Sequence, residues 1–295
     1  MFDSIVALHA IKNGVLIGGI YGGVALGLSL IFGVLRVINF AHGSFLMIAM
    51  YFTWLIWDQF GLHPYVSVLL SVPFLFLLGY MIQAHVLSHL FKKERALVVE
   101  PINALLVTCG VFLLLDNLVL MIFGPDVQAV SVDVAYLTFF LGDIPVNVPR
   151  LIAFLAAIMV ATVLSYWLRR SNMGRAIRAT AQNRDAAAMS GINVPHIYNV
   201  TFGLGSAILG LFGALLIPFF SITPTSGISF GIKSFLVVVL GGIGSIWGCI
   251  IGGLVLGVFE SVASQFVTAT SAAIFSFGLF ICILLVKPSG LMGKA

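Results

Sequence analysis

The sequence predicts an all-α fold, a polytopic transmembrane bundle of about eight or nine spans with a short helix outside the lipid. Composition is the first reason. The chain is 61% hydrophobic and only 8% charged, with 25 Phe and a mean hydropathy of +1.17, whereas water-soluble domains carry roughly 25% charged residues. The second reason is length: apolar runs of about 20 residues recur, which is what a helix needs to cross ~30 Å of hydrocarbon. The third is pattern, because barrel strands read as ~10-residue alternating segments and these runs are unbroken.

Apolar blocks between charges give spans at 14–35, 40–57, 65–90, 103–123, 151–168, 199–220, 233–259 and 268–286. The first is long, Gly-rich and lacks a strongly basic preceding region, so it reads as a span and not as a cleavable leader. The 233–259 block contains Gly241, Gly242, Gly244 and Gly248, which favours a short helix at 233–242 followed by another at 246–263. Basic residues set the sidedness. Lys92, Lys93 and Arg95 follow the third block, and Arg169, Arg170, Arg175, Arg178 and Arg184 follow the fifth. The 124–150 loop holds Asp126, Asp133 and Asp143, with Arg150 at its far end. Since basic loops stay in the cytoplasm, loops 91–102 and 169–198 are expected inside, 124–150 outside and the N-terminus outside, although Lys12 opposes that last assignment. Lys287 and Lys294 favour an inside C-terminus, which the split of 233–259 satisfies.

Glycines four apart mark close helix contacts in lipid. Gly14, Gly18 and Gly22, with Gly19, Gly23 and Gly27 beside them, form two rails on one helix. Gly244, Gly248 and Gly252, with Gly253 and Gly257, form another set. Such rails either pack helices tightly or leave room for a passing solute.

Enzymatic devices are missing from the pattern. Cys109, Cys249 and Cys282 are scattered in apolar runs and read as small core residues. His85 and His89 are one helical turn apart, but no third metal ligand accompanies them. "GIKS" at 231–234 lacks the glycine before lysine that a phosphate loop requires, and no strand precedes it. No cofactor or metal is expected in this chain, and the net charge of +4 fits basic inner loops better than nucleic-acid binding. Polar groups inside spans are costly and point to function. Asp116 and Asn117 lie within 103–123, Glu260 closes the 246–260 stretch, and Asn39 and His42 stand in "NFAHGSF". All five are candidates for a translocation path.

The stretch "GRAIRATAQNRDAAAMSGI", 174–192, concentrates charge in a chain that otherwise avoids it. Its alanine content and freedom from Pro and internal Gly predict one helix over 174–190, ended by Gly191, Asn193 and Pro195. Arg175, Arg178, Gln182 and Asp185 fall three, four and three apart on one face. Ala181, Ala188 and Met189 make a small apolar flank suited to a partner's groove.

Three passages then resemble the branched-chain amino-acid permeases of bacterial ABC importers: "RVINFAHGSFLMIAMY" (36–51), "NMGRAIRATAQNRDAAAMSGINVPHIYNVTF" (172–202) and "KSFLVVVLGGIGSIWGCIIGGLVLGVFES" (233–261). The ending "LLVKPSGLMGK" is similar too. The resemblance implies one permease domain over 1–295 in the cell inner membrane, in which 174–190 is the coupling helix that docks on an ATPase subunit. It assigns that contact to Gly174, Arg175, Arg178, Gln182, Asp185, Ala187 and Gly191. It also implies a homologous second permease, two ATP-binding subunits that supply the ATP, a periplasmic substrate-binding protein and a small amino-acid substrate. Asp116 departs from the neutral polar residue expected there. Rival readings are a stand-alone secondary transporter or channel, which would bind coupling ions at acids such as Asp116, an intramembrane enzyme, or a structural scaffold.

Overall fold

A computed structural model describes residues 4–88, 101–132, 137–141 and 144–293. Of the sequence features above, His89, Lys92, Lys93, Arg95, Asp133, Asp143 and Lys294 lie outside the described residues. Eleven α-helices are described: α1 (Ser4–Leu35), α2 (His42–Phe60), α3 (Pro64–Ile82), α4 (Pro101–Phe123), α5 (Val148–Arg170), α6 (Asn172–Gln182), α7 (Arg184–Met189), α8 (Val194–Leu216), α9 (Ser226–Gly241), α10 (Ile246–Ala263) and α11 (Ala269–Val286). A π-helical turn, Gln83–Leu87, extends α3. Six helical stretches are long and apolar enough to cross a membrane, and the apolar helices at Ser226–Gly241 and Thr270–Val286 are shorter.

The all-α expectation needs one correction. Strands β1 (Thr138–Leu141) and β2 (Ile144–Asn147) pair antiparallel in the 124–150 loop. Two four-residue strands, TFFL and IPVN, are too short an alternation for the pattern to separate from loop.

Local chemistry explains the helix starts. Asn147 and Asn193 each accept a backbone N–H three residues on, from Arg150 and His196, and Pro149 and Pro195 occupy the first turns, where a missing N–H costs nothing. The expected split of 233–259 is present: Gly242 and Gly244 adopt φ of 102° and 76°, a left-handed turn open to glycine, and Ser245 caps α10 by accepting from the Gly248 amide.

Gly14, Gly18 and Gly22 of the first set face Gly253 and Gly257 of the second. A methyl on Gly14 would lie 2.5 Å from Val258 Cα, and one on Gly18 would lie 2.5 Å from the Gly253 carbonyl oxygen. The Gly14, Gly18 and Gly22 rail is therefore closed by the α1–α10 contact, and the solute-passage alternative fails for this seam; the Gly19, Gly23 and Gly27 rail is filled instead by Phe154, Phe212 and the Gly205 carbonyl. α1 stands at the centre, packed also on α5, α8 and α9, while α2 and α3 lie against α8. Peripheral faces expose large apolar side chains, Met121 at 87% and Leu285 at 79% among them, as lipid-facing helices do.

The chain turns gather into two ends. Arg36 meets the α6 carbonyl of Ala181, and the C-terminal Leu291 and Met292 amides bond the Leu240 and Gly241 carbonyls at the α9–α10 turn. At the opposite end Lys12 donates to the Pro145 carbonyl of the hairpin, and Gln128 exchanges backbone bonds with Ile222.

Candidate functional site: an interior break, a charged pocket and an exposed helix pair

The interior break begins where α1 ends. Arg36 has φ 54°, the one positive φ outside glycine among the described residues, and its N–H closes the helix on the Phe32 carbonyl at 2.9 Å. The chain then runs back without helix, and α2 starts deep beside α1. His42 Nε2 lies 3.1 Å from the Val24 carbonyl oxygen, which is eleven residues before Leu35, or about 16 Å along the axis. Non-helical backbone at such depth survives only where protein buries it or a cavity borders it. Here a cavity of about 300 Å³ lies between Asn39, Phe112, Gly227 and Gly231.

The polar atoms of the break are incompletely paired. Asn39 Oδ1 accepts from the Ala41 amide at 3.1 Å, whereas its buried Nδ2 has no partner. His42 donates from Nε2 to a carbonyl, so Nδ1 is an acceptor, and it too is buried and unpaired. Such atoms call for water or a solute. Thr108 on α4 donates to the Ile38 carbonyl at 3.1 Å and steadies the segment. Ser44, in the first turn of α2, donates to Asp116 Oδ1 at 2.5 Å. Asn39, His42 and Asp116 thus border one region, two of them through direct contacts of the break. Asn117 does not join them: it is exposed, and its amide turns back to the Leu113 carbonyl at 2.7 Å. One residue along a helix rotates the side chain by about 100°, enough to take it off the face that Asp116 occupies.

Glu260 belongs to a different cluster, towards the hairpin end. Its Oε1 pairs with Lys233 Nζ of α9 at 2.7 Å, and Lys233 also donates to the Tyr21 hydroxyl of α1 at 2.6 Å. Lys233 was passed over because 231–234 was weighed only as a phosphate loop. The usable signal was a lone cation in an apolar helix, which must find a partner. Beside it is a pocket of about 160 Å³ that Arg150 also lines.

The exposed helix pair corrects the single helix expected over 174–190. Asn183 is extended (φ −152°, ψ 108°) and its side chain caps α7 by accepting from the Asp185 and Ala186 amides. The break removes Asp185 from the face of Arg175, Arg178 and Gln182. Ala187 is only 4% exposed and packs within the permease itself. Gly174 is buried where α6 folds back on α5; a methyl there would lie 2.5 Å from Leu168 Cα. Arg178 donates to the Leu168 carbonyl and Arg175 to Asn172 Oδ1. Gly191 (φ 83°) ends α7, with Ile192 N–H on the Ala187 carbonyl at 3.1 Å. Exposed on the pair are Arg175, Arg178, Gln182, Arg184, Asp185, Ala188 and Met189, the last 86% exposed.

No group of three or more His, Cys, Asp or Glu able to hold a metal occurs among the described residues. The fold and these features define a multi-pass helical membrane protein with polar groups along an interior break. Comparison with known proteins narrows that class. The family model for the permease component of branched-chain amino acid transport systems matches residues 10–284, and the chain belongs to that family of transport permeases. It is 31% identical to the high-affinity branched-chain amino acid transport system permease protein LivH of Salmonella typhimurium, covering 97% of this chain and 96% of that one. It is 28% identical, with the same coverage, to BraD of Pseudomonas aeruginosa. A shorter similarity, 31% over 45% of this chain and 39% of the other, joins it to the fructose import permease FrcC of Rhizobium meliloti. No solved structure matches significantly.

Proposed function

We propose that this chain is the membrane-spanning subunit of an importer for leucine, isoleucine, valine or related amino acids in the bacterial inner membrane. A periplasmic binding protein delivers the substrate, a homologous second permease completes the path, and two ATPase subunits bind the ATP. The observation that carries the reading is an exposed, charged helix pair, α6–α7, on a chain whose family similarity runs from residue 10 to 284.

In this reading the N-terminus is outside, the α6–α7 end is cytoplasmic, and nine spans result when α2, α9 and α11 cross together with the six longer helices. α2 has to count although it begins at depth, because the chain leaves its far end on the hairpin side. The break at Asn39 and His42, with Asp116 behind Ser44, borders the path. Alternation is rigid-body rocking around this region, driven through α6–α7. Uptake of radiolabelled leucine, isoleucine and valine by cells lacking the chain tests the reading. Uptake should fall and return with the gene, and unchanged uptake of all three would overturn it.

A further inference from the structure

A groove on the outside of the bundle lies between α5 and α8, with Val72 of α3 also lining it. Its volume is about 360 Å³, and every lining side chain is aliphatic, methionine or tryptophan. On α5 it runs from Met159 to Trp167, about 12 Å of helix. That is close to the depth of one leaflet of a ~30 Å hydrocarbon core. On the antiparallel α8 it runs from Leu204 to Leu211. Met159 and Val163 are exposed along its open side. Helix contacts in lipid favour small residues that let backbones approach, as the glycines of α1 and α10 do. This groove instead sets bulky side chains around one alanine, Ala207, a surface that suits a flexible chain better than another helix.

Charge marks the end of the groove nearest α6–α7. Tyr166 and Trp167 stand where α5 leaves the hydrocarbon, the level at which such rings collect, and Arg169 and Arg170 follow in the last turn. Val163, Trp167 and Arg170 fall four and three apart, so Arg170 continues the groove-lining stripe of α5. Both arginines are exposed, and among the described residues neither forms an ion pair. Nearby, Arg178 is turned to the Leu168 carbonyl and Arg175 to Asn172. The one acid of α6 and α7, Asp185, is taken by Arg184 at 3.5 Å. The charge here is therefore positive and without a counter-charge. A guanidinium binds a phosphate through two parallel hydrogen bonds. A zwitterionic headgroup brings its own cation and gains less from that field.

We propose that this groove binds one anionic phospholipid of the cytoplasmic leaflet. An acyl chain lies between α5 and α8, and the phosphate sits on Arg169 and Arg170. The lipid braces α5 where α6 folds back on it at Gly174. The site is independent of which solute the permease carries, and only its leaflet rests on the α6–α7 end being cytoplasmic.

The full-length permease, copurified with its partner subunits, is reconstituted in vesicles doped with a phospholipid that carries a diazirine at the end of one acyl chain. After illumination the labelled peptides are mapped, once with phosphatidylglycerol as the carrier and once with phosphatidylethanolamine bearing the same chains. Labelling within 159–167 and 204–211 should be at least about tenfold stronger from phosphatidylglycerol, as two arginines near a lipid surface provide. The lipid-facing helices α4 and α11 should take label from both alike. Arg170→Gln should lower groove labelling by phosphatidylglycerol about fivefold, the worth of one such arginine, and Arg170→Lys should keep most of it. Val163→Trp, which fills the groove from its open side, should remove labelling there by either lipid. If Arg170→Gln does not assemble, the parent's preference between the two lipids decides. Equal groove labelling by both lipids overturns the site, as does a preference that Arg169→Gln and Arg170→Gln together leave unchanged. Labelled α4 and α11 beside an unlabelled groove would mean that a protein subunit covers it, and would overturn the lipid assignment as well.

Discussion

Arg36 joins the break to the helix pair. It holds a left-handed conformation that costs a non-glycine residue about 1–2 kcal/mol, and its guanidinium reaches the Ala181 carbonyl of α6 at 3.4 Å. Three residues on is Asn39, with its unpaired Nδ2. A glycine would serve the turn better, and what the arginine adds is its side-chain contact with α6. Arg36→Gly should leave thermal stability in detergent unchanged or raised by about 1 kcal/mol, while transport per ATP hydrolysed falls. Stability falling with transport per ATP unchanged would reduce Arg36 to a structural cap. Sequence reasoning reached Asn39, His42 and Asp116 because polar residues in oil stand out singly. It missed Arg36, Ser44 and Lys233, whose importance lies in a partner brought from another helix. Glu260 stands out in the sequence without its reason: it pairs with Lys233, and at 26% and 19% side-chain exposure the pair is half-buried, so removing one member costs less than the roughly 3–5 kcal/mol of a fully buried pair.

Among the elements, the glycine-marked contacts and the division of 233–259 were legible because close backbone approach and left-handed turns leave few alternatives to glycine. The helix pair was legible only as a helix. Its alanine content suggested continuity, yet Asn183 followed by Arg184 and Asp185 is itself an N-cap signal with an acid in the first turn. That break decides which side chains a partner can touch. Ala187→Trp should therefore destabilise the permease itself by about 1–3 kcal/mol, as overpacking does. Met189→Asp should leave the permease's melting temperature unchanged and reduce the ATPase subunits recovered on co-purification. Ala187→Trp with unchanged melting and lost ATPase would mean that the alanine faces the partner after all. The β1–β2 hairpin escaped notice because two four-residue strands give too short an alternation to separate from loop.

Across the whole molecule, composition alone fixed the solvent, since so apolar a chain must lie in lipid. The arrangement of spans was less legible: α2 begins about 16 Å inside the end of α1, and no periodicity announces a chain that doubles back. Sidedness can be read directly in a background lacking Cys109, Cys249 and Cys282. Single cysteines at Met189 and Ala129, both exposed, should label with an impermeant maleimide from opposite faces, position 189 from the cytoplasm. Labelling of both from one face would contradict the arrangement of ends.

The account's central claim is that α6–α7 borrows the work of ATP hydrolysis from separate subunits. It differs there from a stand-alone transporter, which would need coupling ions at acids within the membrane. Among the described residues Asp116 is occupied by Ser44 and Glu260 by Lys233. The most direct measurement is leucine uptake into proteoliposomes that hold the permease pair, with and without the ATPase subunits, ATP and the binding protein, and under imposed proton or sodium gradients. The account predicts uptake only when ATPase, ATP and binding protein are all present, whatever the gradient. Gradient-driven uptake by the permeases alone would contradict it.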